Sequence, residues 1–402
     1  MLNNPTKPGI LQLLAQYHQD PRADKLNLTA GIYTDPSGNS PVLETVREAE
    51  YARIQHQRSK ATFDMDGAPE FQQAVRRLLF PSGEEGSAHH VQVIQTVGSS
   101  GALHLAGRMI QHDAPAARVW ISSPTWENHA ALLSSRPEQI GYYRYQPANP
   151  DQLCMTTILE DLQAARPGDY VLLHACCHNP TGMDPTLSQW REWAEFCAER
   201  GLIPLFDFAY QGFAQSAEQD AELFALFREH SDRLIICNSF SKNMGLYNER
   251  TGALTLVFKD ADRLAVWHST LKRMIRSTYS TPPAHGAYIA SHIINDPHRY
   301  SCWQQELKEM RCDLQRRRAA LFAELESSGL MDTLLSYHRQ QGMFLCLQLS
   351  PPSIEVLREQ HGIYLLDTGR ICIASLPLEA IPAFCLALGQ VVEGTNTLSR
   401  KA

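Results

Sequence analysis

The sequence lacks the features that mark membrane, secreted, redox-active and nucleic-acid-binding proteins. Nowhere in its 402 residues do 18 apolar residues follow one another, and no apolar stretch with a small-residue cleavage site opens the chain. Ten cysteines occur without a C-x-x-C spacing, which argues against a zinc site or a redox dithiol. Apart from the RRR run at 316–318 there is no block of basic residues, and the net charge is −7. We therefore expect a cytoplasmic protein with no metal, no membrane contact and no nucleic-acid partner.

What is present is the composition of an ordinary globular protein. Hydrophobic residues make up 44% of the chain and charged residues 20%, and no Gly/Ser-, Gln- or Pro-rich tract interrupts it. A chain of this length can form two packed domains.

Short apolar runs alternate with longer amphipathic stretches from about residue 90, which is typical of a mostly parallel sheet covered by helices. The runs are VQVIQTV, RVWISS, YVLLHACC, LIPLFDF, RLIICNSF and GALTLVF. Beyond about residue 300 the pattern changes to long charged helices, followed by short strands around GMFLCLQL and RICIAS. This change predicts a second, smaller domain.

Polar or glycine-rich segments follow nearly all of these apolar runs. They are GSSG, SPTWENH, HNPTG, DFAYQG and SFSKN. In open parallel sheets the ligand crevice lies beyond the carboxyl ends of the strands, so we expect these distant segments to converge on one site.

Lys242 is the first candidate for chemistry at that site. It follows a buried apolar strand, and burial disfavours the ammonium form of a lysine and favours the nucleophilic amine, which can form a Schiff base. By itself, a lysine in S-x-S-K could equally lie on the surface and open the next helix.

Asp207 ends the run LIPLFDF, where a buried carboxylate needs a cationic partner such as a protonated pyridine nitrogen. Tyr210 and Asn179 could donate hydrogen bonds to a phenolic oxygen on the same ring. Helix capping by Asp207 and a turn at Asn179 before Pro180 are the structural alternatives.

A phosphate on that ring would need hydrogen-bond donors and a cation. GSSGAL offers backbone N–H groups at a helix N-terminus, and a guanidinium with several hydroxyls could complete a cradle. The candidate side chains are those of Ser99, Ser100, Ser239, Ser241 and Arg250.

Two arginines and a tryptophan complete the candidate set. Arg370 could bind the α-carboxylate of an amino-acid substrate and Arg276 a distal carboxylate, since bidentate pairing suits such groups. An ordinary surface ion pair is the alternative for each arginine. Trp126 could stack on a pyridine ring or simply belong to the core.

Taken together, these residues lie in stretches that resemble the class I aspartate and aromatic-amino-acid aminotransferases of pyridoxal-phosphate fold type I. The resemblance runs nearly end to end, and its most specific stretches are HNPTG, PLFDFAYQGFA, SFSKNMGLYNERTGAL, YSTPPAHG and QGMFLCL, in this order. It implies an α/β fold with a mostly parallel seven-stranded sheet covered by helices in a large domain, and a smaller α+β domain formed from both termini. On this basis we expect residues 1–40 to form an N-terminal lid and part of the small domain, 41–300 the large domain, and 301–402 the C-terminal small domain.

The resemblance also implies roles for single residues. Lys242 would bind pyridoxal phosphate covalently and move protons, Asp207 would pair with the pyridine nitrogen, and Asn179 with Tyr210 would contact the phenolic oxygen. His129 and His174 would orient Asp207, Trp126 would stack on the ring, and the phosphate would be bound by Ser99, Ser100, Ser239, Ser241 and Arg250.

For the substrate, the resemblance implies Arg370 on the α-carboxylate and Gly31 in a loop that closes over the site. Arg276 and Ser280 reach into the neighbouring subunit's site in this family, so a homodimer with shared active sites is implied.

The chain departs from the family pattern at several positions. Thr62 stands where a tyrosine usually donates to the partner subunit's phosphate, and Phe63 beside it cannot donate. We keep Thr62 among the candidate phosphate ligands. Ala61 and Thr281 each stand where the family often has an asparagine. Glu127 replaces a proline or a small residue, and Ser99 replaces a glycine.

The function implied by the resemblance is ping-pong transfer of an amino group between aspartate or an aromatic amino acid and 2-oxoglutarate. A lyase, a decarboxylase or a specialised biosynthetic enzyme with the same cofactor is the alternative. A cofactor-binding regulator would need an attached DNA-binding domain, for which the chain leaves no room. A nicotinamide dehydrogenase is disfavoured because no G-x-G-x-x-G follows a strand.

Overall fold

The protein is described here as a computed structural model, which covers residues 9–35, 37–61, 64–83, 89–149, 152–335 and 339–399. Within these ranges the helices are α1 (Ile10–Gln19), α2 (Glu44–His56), α3 (Pro69–Leu79), α4 (Gly98–Asp113), α5 (His129–Leu133), α6 (Met155–Leu162), α7 (Leu187–Arg200), α8 (Leu223–His230), α9 (Ala261–Thr278), α10 (Ala284–Ile294), α11 (Pro297–Ser327), α12 (Met331–Leu334), α13 (Pro351–His361) and α14 (Ile381–Ser399). No helix in the described part of the chain is both long and apolar enough to cross a bilayer.

The strands over the same ranges are β1 (Leu26–Asn27), β2 (His90–Val97), β3 (Val119–Ser123), β4 (Ile140–Arg144), β5 (Pro147–Asn149), β6 (Gln152–Leu153), β7 (Tyr170–His174), β8 (Ile203–Phe208), β9 (Arg233–Ser239), β10 (Thr251–Phe258), β11 (Phe344–Cys346), β12 (Ile363–Tyr364) and β13 (Arg370–Cys372).

Seven of these strands form one sheet in the order β2-β10-β9-β8-β7-β3-β4. Only β10 runs antiparallel to its neighbours, which confirms the predicted mostly parallel sheet. Strands β7, β8 and β10 are buried at every position, because helices cover both faces of the sheet. The apolar side chains on the two faces form two separate hydrophobic clusters.

Strand β4 is the sheet member that the apolar runs did not reveal. It pairs with β3 at the end of the strand order, and its side chains alternate between buried and exposed, with Tyr142 56% exposed. An edge strand needs no continuous apolar run, so its sequence IGYYR carries a weaker signal.

Helix α7 shows how local sequence sets the bounds of a covering helix. The Thr186 hydroxyl accepts a hydrogen bond from the backbone N–H of Gln189, and the Gln189 side chain accepts one in return from the Thr186 N–H. At the other end Gly201 adopts a left-handed conformation with φ of 65° and ends the helix.

A smaller α/β region is built from both ends of the chain. Strand β1 pairs in parallel with β12, and β11 pairs with β13 in antiparallel fashion. Helix α11 leads into this region and packs against α14. The predicted division at 40/41 and 300/301 stays a prediction, and its second boundary lies within α11.

Arg317 ties α11 to the N-terminal segment. Its side chain is only 2% exposed and forms an ion pair of 2.7 Å with Asp313, which also accepts a hydrogen bond from the Tyr33 hydroxyl. The guanidinium donates to the backbone carbonyls of Thr34 and Ala374 as well. A buried charge with this many partners is costly to remove, because the groups left behind stay buried.

We predict that Arg317→Met lowers the free energy of unfolding by about 3 kcal/mol or more, since Asp313 loses its buried counter-ion. Arg316→Met is the matched control, because Arg316 pairs with the same Asp313 but is 70% exposed, and we expect it to cost less than about 1 kcal/mol. Urea denaturation of both variants measures the difference. Equal losses of unfolding free energy in the two variants would contradict this role of the buried Arg317.

Candidate active site

The segments that follow the parallel strands meet at one cavity, as the sequence predicts. Residues from the ends of β2, β3, β7, β8 and β9 face residues from α1, from the segment after β1 and from β11 and β13. The lining consists of Ile10, Gly31, Ser99, Ser100, Trp126, Glu127, Asn179, Asp207, Ala209, Tyr210, Ser239, Ser241, Lys242, Arg250, Phe344 and Arg370.

Asp207 lies at the end of β8 and is 7% exposed. Its Oδ2 accepts a hydrogen bond of 3.0 Å from Nε2 of His129, whereas its buried Oδ1 has no partner among the described residues. Burial opposes the charged form, yet the hydrogen bond from His129 holds the pKa of Asp207 below its ordinary value. An ionised carboxylate with one free oxygen is therefore available to a cation in the cavity.

Behind Asp207 runs a chain of hydrogen bonds through two histidines. The backbone N–H of Asn179 donates to Nδ1 of His174, and Thr125 Oγ1 lies 3.2 Å from Nε2 of His174 and 2.7 Å from Nδ1 of His129. Burial lowers the pKa of His174 to about 3, so this ring stays neutral. The chain fixes the orientation of the His129 ring that contacts Asp207.

Lys242 follows β9 and lies partly buried in the same cavity. Burial lowers its pKa and Arg250 adds to the effect, while the charge of Asp207 opposes it. Its Nζ lies 5.3 Å from the centre of the Tyr210 ring. The structure thus brings a nucleophilic amine to the cavity that holds Asp207.

Arg250 and the start of α4 form a pocket for an anion. Helix α4 begins at Gly98, directly after β2, and presents the N–H groups of its first turn. Arg250 Nη1 donates to the backbone carbonyl of Tyr247 at 3.0 Å, and a Cβ on Gly98 would lie only 2.5 Å from Arg250 Nη2. The hydroxyls of the four predicted serines line the same cavity, namely Ser99, Ser100, Ser239 and Ser241.

Arg370, in β13, is held in place by uncharged acceptors. Its Nη1 donates to Asn179 Oδ1 at 3.2 Å and its Nη2 to the Thr29 carbonyl at 2.5 Å, while its buried Nε has no partner among the described residues. The guanidinium carbon lies 4.5 Å from the centre of the Phe344 ring. This charge is fixed in position and available for a carboxylate.

Arg276 and Ser280, which the resemblance assigns to the neighbouring subunit's site, do not line this cavity. Arg276 is exposed at the end of α9, and its Nη1 donates to the Ser280 hydroxyl at 2.5 Å; neither side chain lines the cavity. Thr62 lies outside the described residues, as does Phe63.

The cavity also includes residues that sequence reasoning did not assign to it. Phe344 belongs to the quoted stretch QGMFLCL, and a Cβ on Gly31 would lie 2.7 Å from its Cζ, so the two segments touch. Glu127 was noted only as a departure from the family pattern. Ala209 lies between two predicted site residues, Asp207 and Tyr210. Ile10 gave no signal, because nothing in the sequence of α1 indicates where the helix packs.

We predict that Gly98→Ala weakens binding of pyridoxal phosphate, the ligand implied by the resemblance, about tenfold or more, because the added methyl group displaces Arg250. Gly38→Ala is the control. Gly38 has φ of 83°, so it carries similar backbone strain, but no atom lies within 4 Å of its added Cβ. Titration of the apoprotein with pyridoxal phosphate measures both affinities. Equal affinities in the two variants would contradict an anion site at Arg250.

Comparison with known proteins shows the family to which the chain belongs. Residues 23–388 match the family of class I and II aminotransferases. The chain is 39% identical to an aspartate aminotransferase of Salmonella typhi, over 95% of this chain and 97% of that protein. It is 36% identical to an aromatic-amino-acid aminotransferase of Pseudomonas aeruginosa, over 96% of this chain and 97% of that protein.

Among solved structures, the chain is similar to the aromatic-amino-acid aminotransferase from Burkholderia pseudomallei covalently bound to pyridoxal phosphate. The TM-score is 0.87 at 35% identity, over 97% of this chain and 99% of that one. The free oxygen of Asp207, the amine of Lys242 and the anion pocket at Arg250 suit a phosphorylated pyridine aldehyde. The chain therefore belongs to the class I and II aminotransferases and is a transaminase that uses pyridoxal phosphate.

Proposed function

We propose that this transaminase moves the amino group of L-aspartate or an aromatic L-amino acid to 2-oxoglutarate in two half-reactions, with Lys242, Asp207 and Tyr210 as its catalytic residues. The observation that carries the proposal is one cavity with a buried amine, a carboxylate with a free oxygen and two separate arginines. The carboxylate and one arginine complement the pyridinium nitrogen and the phosphate of the cofactor, and the second arginine complements the α-carboxylate of an amino acid.

The cofactor, when bound, supplies an electron sink for the negative charge that develops at the substrate's α-carbon. Asp207, through its unpaired Oδ1, would hold the pyridinium nitrogen. Tyr210 and the amide nitrogen of Asn179 would donate to the phenolic oxygen, and burial raises the pKa of Tyr210 well above its ordinary value, so its hydroxyl keeps the proton it donates. Trp126, which lines the cavity, would pack against the ring.

The first turn of α4 and Arg250 would hold the phosphate. Hydroxyl groups that line the cavity add donors around it, and these belong to Ser99, Ser100, Ser239 and Ser241. Thr62 remains a candidate donor from a second subunit.

Lys242 moves the proton of the reaction. Because burial lowers its pKa, its nitrogen is available as a base that takes the proton from the substrate's α-carbon and, as the ammonium, would donate it to the C4′ carbon of the cofactor. Arg370 binds the α-carboxylate and so orients the Cα–H bond, while the lack of a side chain at Gly31 lets its segment pack against Phe344 beside the cavity. His129 and His174 hold Asp207 in place.

We also propose a homodimer in which Arg276 and Ser280 serve the site of the neighbouring subunit. Both lie outside the cavity of their own chain, although Arg276 is the proposed ligand for a distal carboxylate. A groove of about 610 Å³ between α2 and α10, lined by Arg53, Tyr288 and His292 among others, offers a surface for a second copy. All ten cysteines are free thiols, which supports a reducing, cytoplasmic location.

Incubating the holoenzyme with single amino acids tests the proposed activity. We expect aspartate, glutamate or phenylalanine to abolish the visible absorbance band of the bound cofactor and to yield one equivalent of keto acid, and 2-oxoglutarate to restore the band. The Lys242→Ala variant should not turn over. Release of ammonia or carbon dioxide without any keto-acid acceptor would instead indicate a lyase or decarboxylase.

Hybrid dimers test the shared sites. Co-expressed Lys242→Ala and Arg276→Met chains should recover about a quarter of the wild-type activity on aspartate, since half of randomly formed dimers are hybrids with one complete site. The control pairs Arg276→Met with a chain that carries both substitutions, which leaves no complete site. Equal activity in both mixtures would exclude a shared site.

A further inference from the structure

We propose that Glu127 is a specificity-determining residue: its carboxylate at the mouth of the cavity disfavours substrates with a distal carboxylate and so favours aromatic and other uncharged side chains. This inference rests on the proposed transaminase function of the same site.

Each cationic side chain that lines the cavity has a role other than binding the side chain of a substrate. These cationic residues are Lys242, Arg250 and Arg370. Lys242 reacts with the cofactor, Arg250 lies beside the start of α4 where a phosphate binds, and Arg370 meets the α-carboxylate. Among the described residues of its own chain, the cavity therefore offers no further positive charge to a distal carboxylate.

The cavity lining includes three large apolar side chains and two acidic ones. Ile10, Trp126 and Phe344 line the cavity, and Arg370 covers the face of the Phe344 ring. Asp207, the other acidic lining residue, is buried and hydrogen-bonded to His129. Glu127 is exposed and makes no hydrogen bond or ion pair with any other described residue. No cationic side chain among the described residues pairs with its negative charge.

A distal carboxylate that enters this space meets the charge of Glu127 across a partly solvated gap. Repulsion between two such charges is modest, because water screens it, and corresponds to about a three- to tenfold effect on relative substrate use at low salt. A neutral aromatic ring meets no such repulsion and packs against the apolar wall.

The direction in which a Glu127 substitution changes dicarboxylate binding separates this role from an alternative one. In the alternative, Glu127 positions a cation of the second subunit, such as the proposed Arg276, for a distal carboxylate. Removal of the Glu127 charge would then weaken dicarboxylate binding. The proposed role predicts the opposite sign.

The test compares Glu127→Gln with Glu138→Gln, an exposed residue on the 3-10 turn Pro137–Gln139 that does not line the cavity. The ratio of kcat/KM for aspartate to that for phenylalanine is measured with each holoenzyme at about 0.02 M and about 0.5 M salt. We expect Glu127→Gln to raise this ratio about three- to tenfold at low salt and by less than about twofold at high salt. Glu138→Gln should leave the ratio as in the wild type, and Glu127→Asp should stay near it because the charge is kept.

Equilibrium binding supplies a second readout that does not depend on turnover. Calorimetric titration of the holoenzymes with succinate and with 3-phenylpropionate should show the same change in relative affinity for Glu127→Gln. An unchanged ratio, or a fall in the aspartate value, would overturn the inference while leaving the transaminase function intact. A wild-type holoenzyme that transaminates neither amino acid would overturn both.

Discussion

The site depends on the cost of burying the Asp207 carboxylate. A buried negative charge persists only where hydrogen bonds or a cation compensate it. His129 supplies one such bond, and the chain through Thr125 and His174 fixes that imidazole from behind. The second oxygen has no partner among the described residues, which leaves an acceptor that a pyridinium ring can satisfy.

The same principle explains how the two arginines stay available to ligands. Arg250 and Arg370 are held by backbone carbonyls and an amide oxygen rather than by carboxylates. Uncharged acceptors orient a guanidinium without neutralising it, so most of its charge remains to attract an anion. Arg370 also donates to the backbone carbonyl of Thr29. A carboxylate bound by Arg370 is therefore linked through this guanidinium to the segment that carries Gly31. Arg317 holds the same segment at Thr34, which connects the site to α11.

Sequence reasoning predicted the large sheet well because its central strands are buried on both faces and therefore consist of continuous apolar residues. It missed β4, since an edge strand such as IGYYR needs no such run. Most cavity residues were predictable because chemistry-bearing segments follow parallel strands directly, as Asp207 follows LIPLF and Lys242 follows the strand RLIICNS. Ile10 was not predictable as a cavity residue, because its position results from packing between segments far apart in the chain.

By itself, the sequence determined the fold class, because hydrophobic periodicity and the order of strand ends are local properties of the chain, and through its resemblance to a known family it implied the cofactor. Only the tertiary structure decided which oxygen of Asp207 remains free, which acceptors hold Arg370, and that Glu127 stands at the cavity mouth while Arg276 lies outside it. Those outcomes depend on side-chain directions and on contacts between segments hundreds of residues apart, as for the bond from Arg370 to Thr29, and no local pattern encodes them.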